Sequence, residues 1–139
     1  MKRGAVLLIA AGLMALAMTA SASAFSVKEF QSPSGNIGCV IVNGKSVRCD
    51  IREHSWPTPP RPSSCDLDYG QGVAVGSHGR ADYVCAGDTA LDPSADVLGY
   101  GDRIHKGIIR CASKTKGMRC VNLESKDGFF LSRDVVHLF

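Results

Sequence analysis

Six cysteines, at positions 39, 49, 65, 85, 111 and 120, constrain this 139-residue chain more than any other feature. They follow a leader: Lys2 and Arg3 give a positive start, Ala5 to Ala20 is apolar apart from Gly12 and Thr19, and Ala22-Ser23-Ala24 supplies a small-residue cleavage pattern. An even cysteine count behind an export leader reads as three disulfides that staple a small domain outside the cytoplasm. Residues 1–24 are expected to leave as a signal peptide, and 25–139 to form a single disulfide-stapled β domain starting at Phe25. The apolar run is shorter than the roughly 20 residues a bilayer span needs, so no transmembrane segment is expected after cleavage. No cysteine precedes Cys39, which excludes lipid attachment to an N-terminal cysteine. The expected location is secreted or extracytoplasmic, in the periplasm or cell envelope.

The leader carries two of the 16 basic residues and none of the 13 acidic ones, so its removal lowers the formal charge from +3 to +1. The global argument for nucleic-acid binding goes with it, and no nucleic-acid partner is expected. The distribution of charge says more. Six bases, Arg103, Lys106, Arg110, Lys114, Lys116 and Arg119, occupy 103–119 with His105 and no acid. Seven acids, Asp66, Asp68, Asp82, Asp88, Asp92, Asp96 and Asp102, occupy 66–102 against Arg80 alone. The expected arrangement sets the two stretches side by side so that they neutralise each other. The alternative is that the six bases form a candidate surface for an anionic partner, with an attraction that salt weakens.

Short apolar or β-branched runs separated by Gly, Asn and Pro dominate, and no stretch holds a 3.6-residue period for three turns. The expected fold is therefore mainly β, a small antiparallel barrel or sandwich of hairpins. Asn36 to Val42 and Ser46 to Ile51 flank Asn43-Gly44, a strong hairpin signal. Val73 to Val75 and Ala81 to Cys85 flank a glycine-bounded loop. Ile108 to Ser113 and Met118 to Leu123 flank Lys114-Thr115-Lys116-Gly117, and Gly128 to Leu131 reads as a closing strand.

The first and third hairpins look like copies, each carrying two cysteines across a turn. In the third, a four-residue loop with Gly117 in the left-handed conformation sets Cys111 opposite Cys120, at a separation that a disulfide tolerates. In the first, a three-residue loop sets Cys39 opposite Cys49, whereas a strict two-residue Asn-Gly turn sets Cys39 opposite Arg48. Sequential pairing is favoured among the possible connectivities, which leaves Cys65 with Cys85 by elimination.

Trp56-Pro57-Thr58-Pro59-Pro60-Arg61-Pro62 must run extended, because proline fixes φ and bars helix from its neighbours. It reads as a stiff crossover with Trp56 as the one large aromatic anchor of the core. Asp92-Pro93 offers a cap and a first-turn proline for one short helical turn over 94–98, and Ser132 for a terminal turn through Val135.

No chemistry stands out. His54, His78, His105 and His137 lack i, i+4 partners and there is no Cys-x-x-Cys, so neither a metal site nor a cofactor is expected. Asp66-Leu67-Asp68-Tyr69-Gly70 begins like a calcium loop but lacks its third acidic ligand, and Ser77 stands at the glutamate position. No nucleophile elbow, phosphate-cradling loop or dinucleotide fingerprint occurs, and no catalytic residue is assigned.

Several strings carry a resemblance: Phe30-Gln31-Ser32-Pro33-Ser34-Gly35-Asn36-Ile37-Gly38-Cys39, Val47-Arg48-Cys49-Asp50-Ile51, Cys85-Ala86-Gly87-Asp88-Thr89, Tyr100-Gly101, and Gly128-Phe129-Phe130-Leu131-Ser132-Arg133. Together they resemble an uncharacterised family of small exported proteins, a domain of unknown function common in actinobacteria. Tyr69 stands where that family more usually has tryptophan, and Lys126-Asp127-Gly128 replaces a Gly-His-Gly. The resemblance implies export and a disulfide-bearing domain, and brings no activity with it. The same motif residues read physically as turn formers: Ser32, Ser34 and Asn36 beside Pro33 and Gly35 would launch the first strand.

The leading expectation is an exported noncatalytic module that binds an anionic envelope component or an extracellular protein. One alternative is an inhibitor of a cationic extracellular hydrolase, docking through the acidic 66–102 stretch. Another is an unrecognised hydrolase whose residues are gathered only by folding.

Overall fold

The computed structural model describes residues 20–139, so most of the expected signal peptide lies outside the described residues. Eleven strands form: β1 (Val27–Gln31), β2 (Ile37–Val42), β3 (Ser46–Ile51), β4 (Tyr69–Val75), β5 (Asp82–Cys85), β6 (Asp96–Val97), β7 (Arg103–Lys106), β8 (Ile109–Lys114), β9 (Gly117–Asn122), β10 (Gly128–Leu131) and β11 (Val136–Leu138). There is no helix among the described residues. One sheet runs β5-β4-β3-β2-β1-β6 and the other β11-β10-β9-β8-β7. Both keep open edges, so the fold is a sandwich and not a closed barrel.

The copied hairpins expand into copied sheets. β1 to β5 and β7 to β11 are each five consecutive strands laid side by side, with the disulfide-bearing hairpin as the second and third strand of each set. β6 adds a parallel pairing to β1 at the first sheet's edge.

In the first hairpin Val42 pairs with Ser46 and Cys39 with Cys49, which leaves Asn43, Gly44 and Lys45 as the loop. Asn43 at φ 51° and Gly44 at φ 63° are both left-handed, the pair that lets Lys45 N close the turn on the Val42 carbonyl at 3.0 Å. In the third, Lys114 pairs with Gly117, shortening the expected four-residue loop to Thr115-Lys116. Gly117 lies near extended backbone at φ 159°, not left-handed as expected; the opposition of Cys111 and Cys120 is unchanged. The disulfides are Cys39–Cys49, Cys65–Cys85 and Cys111–Cys120.

Alternation turns Phe30, Ile41, Val47, Val73 and Val75 of one sheet toward Ile109, Met118, Phe129 and Leu131 of the other. The two hairpin disulfides meet at the centre, where Cys49 Sγ lies 3.8 Å from Cys120 Sγ. Trp56 closes one end. It is buried, donates Nε1 to the Ser132 carbonyl at 2.9 Å and stacks on His54 at 3.5 Å between ring centroids. The proline crossover thus ties β3 to the end of β10.

One local expectation fails because a pairing partner distant in sequence outcompetes local propensity. Asp92 does cap a turn, accepting from Ser94 N at 2.8 Å, but the helical turn over 94–98 does not form. The Gln31 amide takes the Pro93 and Ala95 carbonyls, and Asp96–Val97 pairs with β1. The Ser-Pro-Ser-Gly-Asn string launches the strand expected from Asn36 to Val42, with Ser32 Oγ accepting from Ile37 N at 3.1 Å; β1, which precedes it, is an additional strand.

Among the described residues one core group is unsatisfied: the Ser113 hydroxyl is buried without a hydrogen-bond partner. A stranded hydroxyl costs about 1–3 kcal/mol, so Ser113→Ala is expected to stabilise the domain by about 1 kcal/mol. Thermal unfolding would show this as a rise of about 3–5 °C; an unchanged or lower midpoint would mean that the hydroxyl is satisfied in solution.

Candidate functional site

Strand β8 is the spine of the site. Alternation sends Ile109, Cys111 and Ser113 inward and leaves Arg110 and Lys114 exposed, with Ala112 half-buried between them. Arg103 on β7 and Arg119 on β9 are the cross-strand partners of Ala112 on either side. Arg103, Arg110, Lys114 and Arg119 line one groove of about 560 Å³, which no carboxylate or histidine lines. Among the described residues none of these four cations forms an ion pair. Beside the groove the face turns aromatic: the Arg119 guanidinium lies 4.6 Å from the Phe139 ring centroid, and Phe130 is its partner across β9 and β10.

The six bases of 103–119 therefore divide. Lys106 pairs with Ile109 at the far end of the sheet and lines a separate groove with Lys28, Asn43 and Gly44. Lys116 sits at the hairpin tip and lines a cavity of about 400 Å³ with Ser34, Asn36, Arg52, Tyr100 and Arg133; Lys114 borders both this cavity and the basic groove. That cavity gathers three of the strings behind the resemblance, yet their polar groups already serve the fold. Asn36 clamps the Glu53 backbone through Nδ2 at 3.0 Å and Oδ1 at 2.9 Å, and Ser32 and Ser34 hydroxyls bond each other at 3.1 Å.

Among the described residues no ion pair joins the basic stretch to the acidic one. Two acids of 66–102 find partners in the first sheet: Asp96 pairs with Lys28, and Asp88 with Arg48 at 2.7 Å. Charge segregation in sequence could not reveal that both cationic partners lie outside 103–119. Asp88, Asp92 and Asp96 are each held below the ordinary carboxylate range, through hydrogen bonds to Arg48, Ser94 and Lys28 respectively. The stability they contribute is therefore complete at neutral pH and is lost as acid carries the solution down through their lowered values.

The two outer sheet faces make a natural comparison, because Arg48 precedes Cys49 in the first copy as Arg119 precedes Cys120 in the second. Arg48 is sealed. Its Nε and Nη2 donate to Asp50 at 2.8 and 2.7 Å, and its Nη1 donates to Asp88. Asp50, 1% exposed, also accepts from Thr89 Oγ1 and Ala90 N, drawing the loop after β5 across the sheet. Gly38 permits that approach: a Cβ there would stand 2.5 Å from the Ala90 carbonyl oxygen. The second copy has Val121 at the position of Asp50, so Arg119 has no neighbouring carboxylate on its strand and no ion pair. One face is closed with its arginine neutralised; the other is open with its cations unpaired.

Arg103, Arg110, Lys114 and Arg119 bring positive charge and hydrogen-bond donors to the groove, chemistry suited to holding an anion. The sulfurs of Cys39, Cys49 and Cys120 lie within 4.8 Å of one another, and all three are bound in disulfides rather than available as thiolate donors.

Fold and site together define a disulfide-stapled β-sandwich with one open, cationic sheet face. The three disulfides fit an oxidising, non-cytoplasmic location, and no helix of the described residues is long and apolar enough to cross a membrane. The chain belongs to a family of unknown function (DUF6636), which it matches over residues 8–139. No curated protein and no solved structure matches it.

Proposed function

We propose that the protein is an exported, noncatalytic binding module whose β7-β8-β9 face takes an anionic component of the cell envelope. The observation that carries this reading is the set of four cations, Arg103, Arg110, Lys114 and Arg119, lining one groove with no carboxylate among them. Like charges held together repel. Outside 103–119, Lys28, Arg48 and Arg133 have carboxylate partners while Lys45, Arg52, Arg61, Arg80 and Lys126 form no ion pair among the described residues, so the four are distinguished by their gathering in one groove and not by the lack of a partner. An unrelieved cluster on the open copy of a duplicated sheet is the pattern of a surface kept for a ligand. The acidic stretch is the weaker docking candidate, because Asp88 and Asp96 are already engaged within the domain.

The test is retention of the mature chain on an immobilised anionic polymer over a salt gradient. Arg110→Glu/Lys114→Glu is expected to elute at much lower salt than wild type, with an unchanged thermal midpoint, since exposed strand and tip positions contribute little to the core. Lys45→Glu/Arg80→Glu, which makes the same change in net charge at exposed positions elsewhere, should elute close to wild type. Equal loss in both double variants would reduce the attraction to net charge and sink the face-specific reading.

A further inference from the structure

The registers around Ala112 fix more than a basic patch. Its two cross-strand neighbours are Arg103 and Arg119, and its two same-face neighbours along β8 are Arg110 and Lys114. Strand geometry places the first pair about 4.8 Å away on either side and the second pair about 6.8 Å above and below. Four cationic residues thus stand at the corners of a diamond centred on the small side chain of Ala112, and their long side chains can converge over it once the Arg119 guanidinium turns from the Phe139 ring, on which it rests at 4.6 Å. Nothing in the groove lining neutralises them.

We infer that the groove floor at Ala112 is a binding site for one multiply charged oxyanion, a phosphomonoester or pyrophosphate group, held by Arg103, Arg110, Arg119 and Lys114. The inference deepens the proposal of an anion-binding face and rests on it. Three of the four corners are guanidiniums, whose planar forks donate paired hydrogen bonds to tetrahedral oxyanions, while Lys114 adds a mobile point charge. A single carboxylate would leave most of the positive charge uncompensated, whereas two or three negative charges on one compact group come close to balancing it. Alanine at the centre lets that group descend to the sheet between the arginine stems; any larger side chain would hold it off. In the closed copy Val40 is the cross-strand partner of Arg48, and Asp50 and Asp88 occupy the guanidinium in place of a ligand.

The experiment is an NMR titration of the mature chain with pyrophosphate, following the Ala112 methyl and the β8 amides, with acetate at equal ionic strength as the single-charge comparison. Saturable shifts centred on Ala112 with pyrophosphate, and none with acetate, are expected. Ala112→Ile keeps the net charge and suits a strand, so it should fold with an unchanged midpoint and weaken pyrophosphate binding by about tenfold or more. Arg119→Lys, which keeps charge but loses the fork, should weaken it severalfold. Vesicles containing phosphatidic acid separate the sources: Ala112-dependent sedimentation with them identifies a lipid headgroup, and pyrophosphate binding without sedimentation identifies a soluble or polymer-borne phosphate. Full pyrophosphate affinity in Ala112→Ile, or shifts scattered over the surface, would overturn the site. Retention of polyglutamate that is lost in Arg110→Glu/Lys114→Glu, with no localised pyrophosphate binding, would leave the anionic face standing and remove only the oxyanion site. Loss of both would remove both.

Discussion

Asp50→Ala is expected to lower the stability of the domain by about 3–5 kcal/mol, the range for breaking a buried ion pair by deleting one partner. Asp50 is 1% exposed and accepts four hydrogen bonds, two from Arg48 and one each from Thr89 Oγ1 and Ala90 N. Removing it leaves the Arg48 guanidinium with the exposed Asp88 as its one carboxylate partner, and its side chain is 20% exposed to water, so the lower end of the range applies to Arg48 itself. The loss of the Ala90 amide acceptor adds to it, because that bond anchors the loop over Gly38. A domain of this size has about 5–15 kcal/mol in hand, so the variant should sit near the edge of folding at 37 °C. Asp88→Ala is the internal comparison: it removes an exposed partner of the same arginine and should leave the urea midpoint almost unmoved. A small loss in Asp50→Ala, of the size seen for Asp88→Ala, would mean that the sealed face contributes little to holding the sandwich together.

How far the sequence reached follows the range of the interactions involved. Hairpins are local, so the strands follow from patterning, but Asn43-Gly44 alone allows Cys39 to face either Cys49 or Arg48, and only the observed three-residue loop decides for Cys49. Strands β1, β6, β7 and β11 were not legible, because they are short and are stabilised by neighbours far along the chain; Asp96–Val97 forms only because Phe30 and Gln31 offer an edge. The candidate site was legible as a run of bases but not as a groove. Strand alternation placed Arg110 on the outer face, whereas the convergence of Arg103 and Arg119 on Ala112 depends on two cross-strand registers, and the separation of Lys106 and Lys116 from them depends on where β8 begins and ends. Least legible was the pairing of Asp88 and Asp96 with Arg48 and Lys28, a contact over 40 residues in one case and 68 in the other.

The disulfides give the second large effect, and here two physical arguments predict opposite orders. Loop-closure entropy favours the Cys65–Cys85 bridge, with a sequence separation of 20 against 10 for Cys39–Cys49, so on that ground alone its removal should cost more. Packing favours the other. Cys39 and Cys49 are 0% exposed at the point where the two sheets touch, and Cys49 Sγ lies 3.8 Å from Cys120 Sγ, so alanine at both positions leaves a void between the sheets as well as a freer unfolded chain. Cys65 is buried but lies outside the core between the sheets, and Cys85 lies exposed on the edge strand β5, so loss of this bridge opens no comparable void between the sheets. The dependence of stability on loop length is logarithmic and amounts to only about 0.6 kcal/mol per doubling, whereas deleting buried core atoms costs well over 1 kcal/mol. The packing argument wins. Cys39→Ala/Cys49→Ala is expected to lose about 4–5 kcal/mol and Cys65→Ala/Cys85→Ala about 2–3 kcal/mol. Urea unfolding of the two double variants decides the order, with equal slopes required so that the midpoints compare the same transition. A larger loss from Cys65→Ala/Cys85→Ala would mean that the bridges act through the unfolded chain alone, and that the central sulfur contact is a consequence of the duplicated hairpins rather than a support for the sandwich.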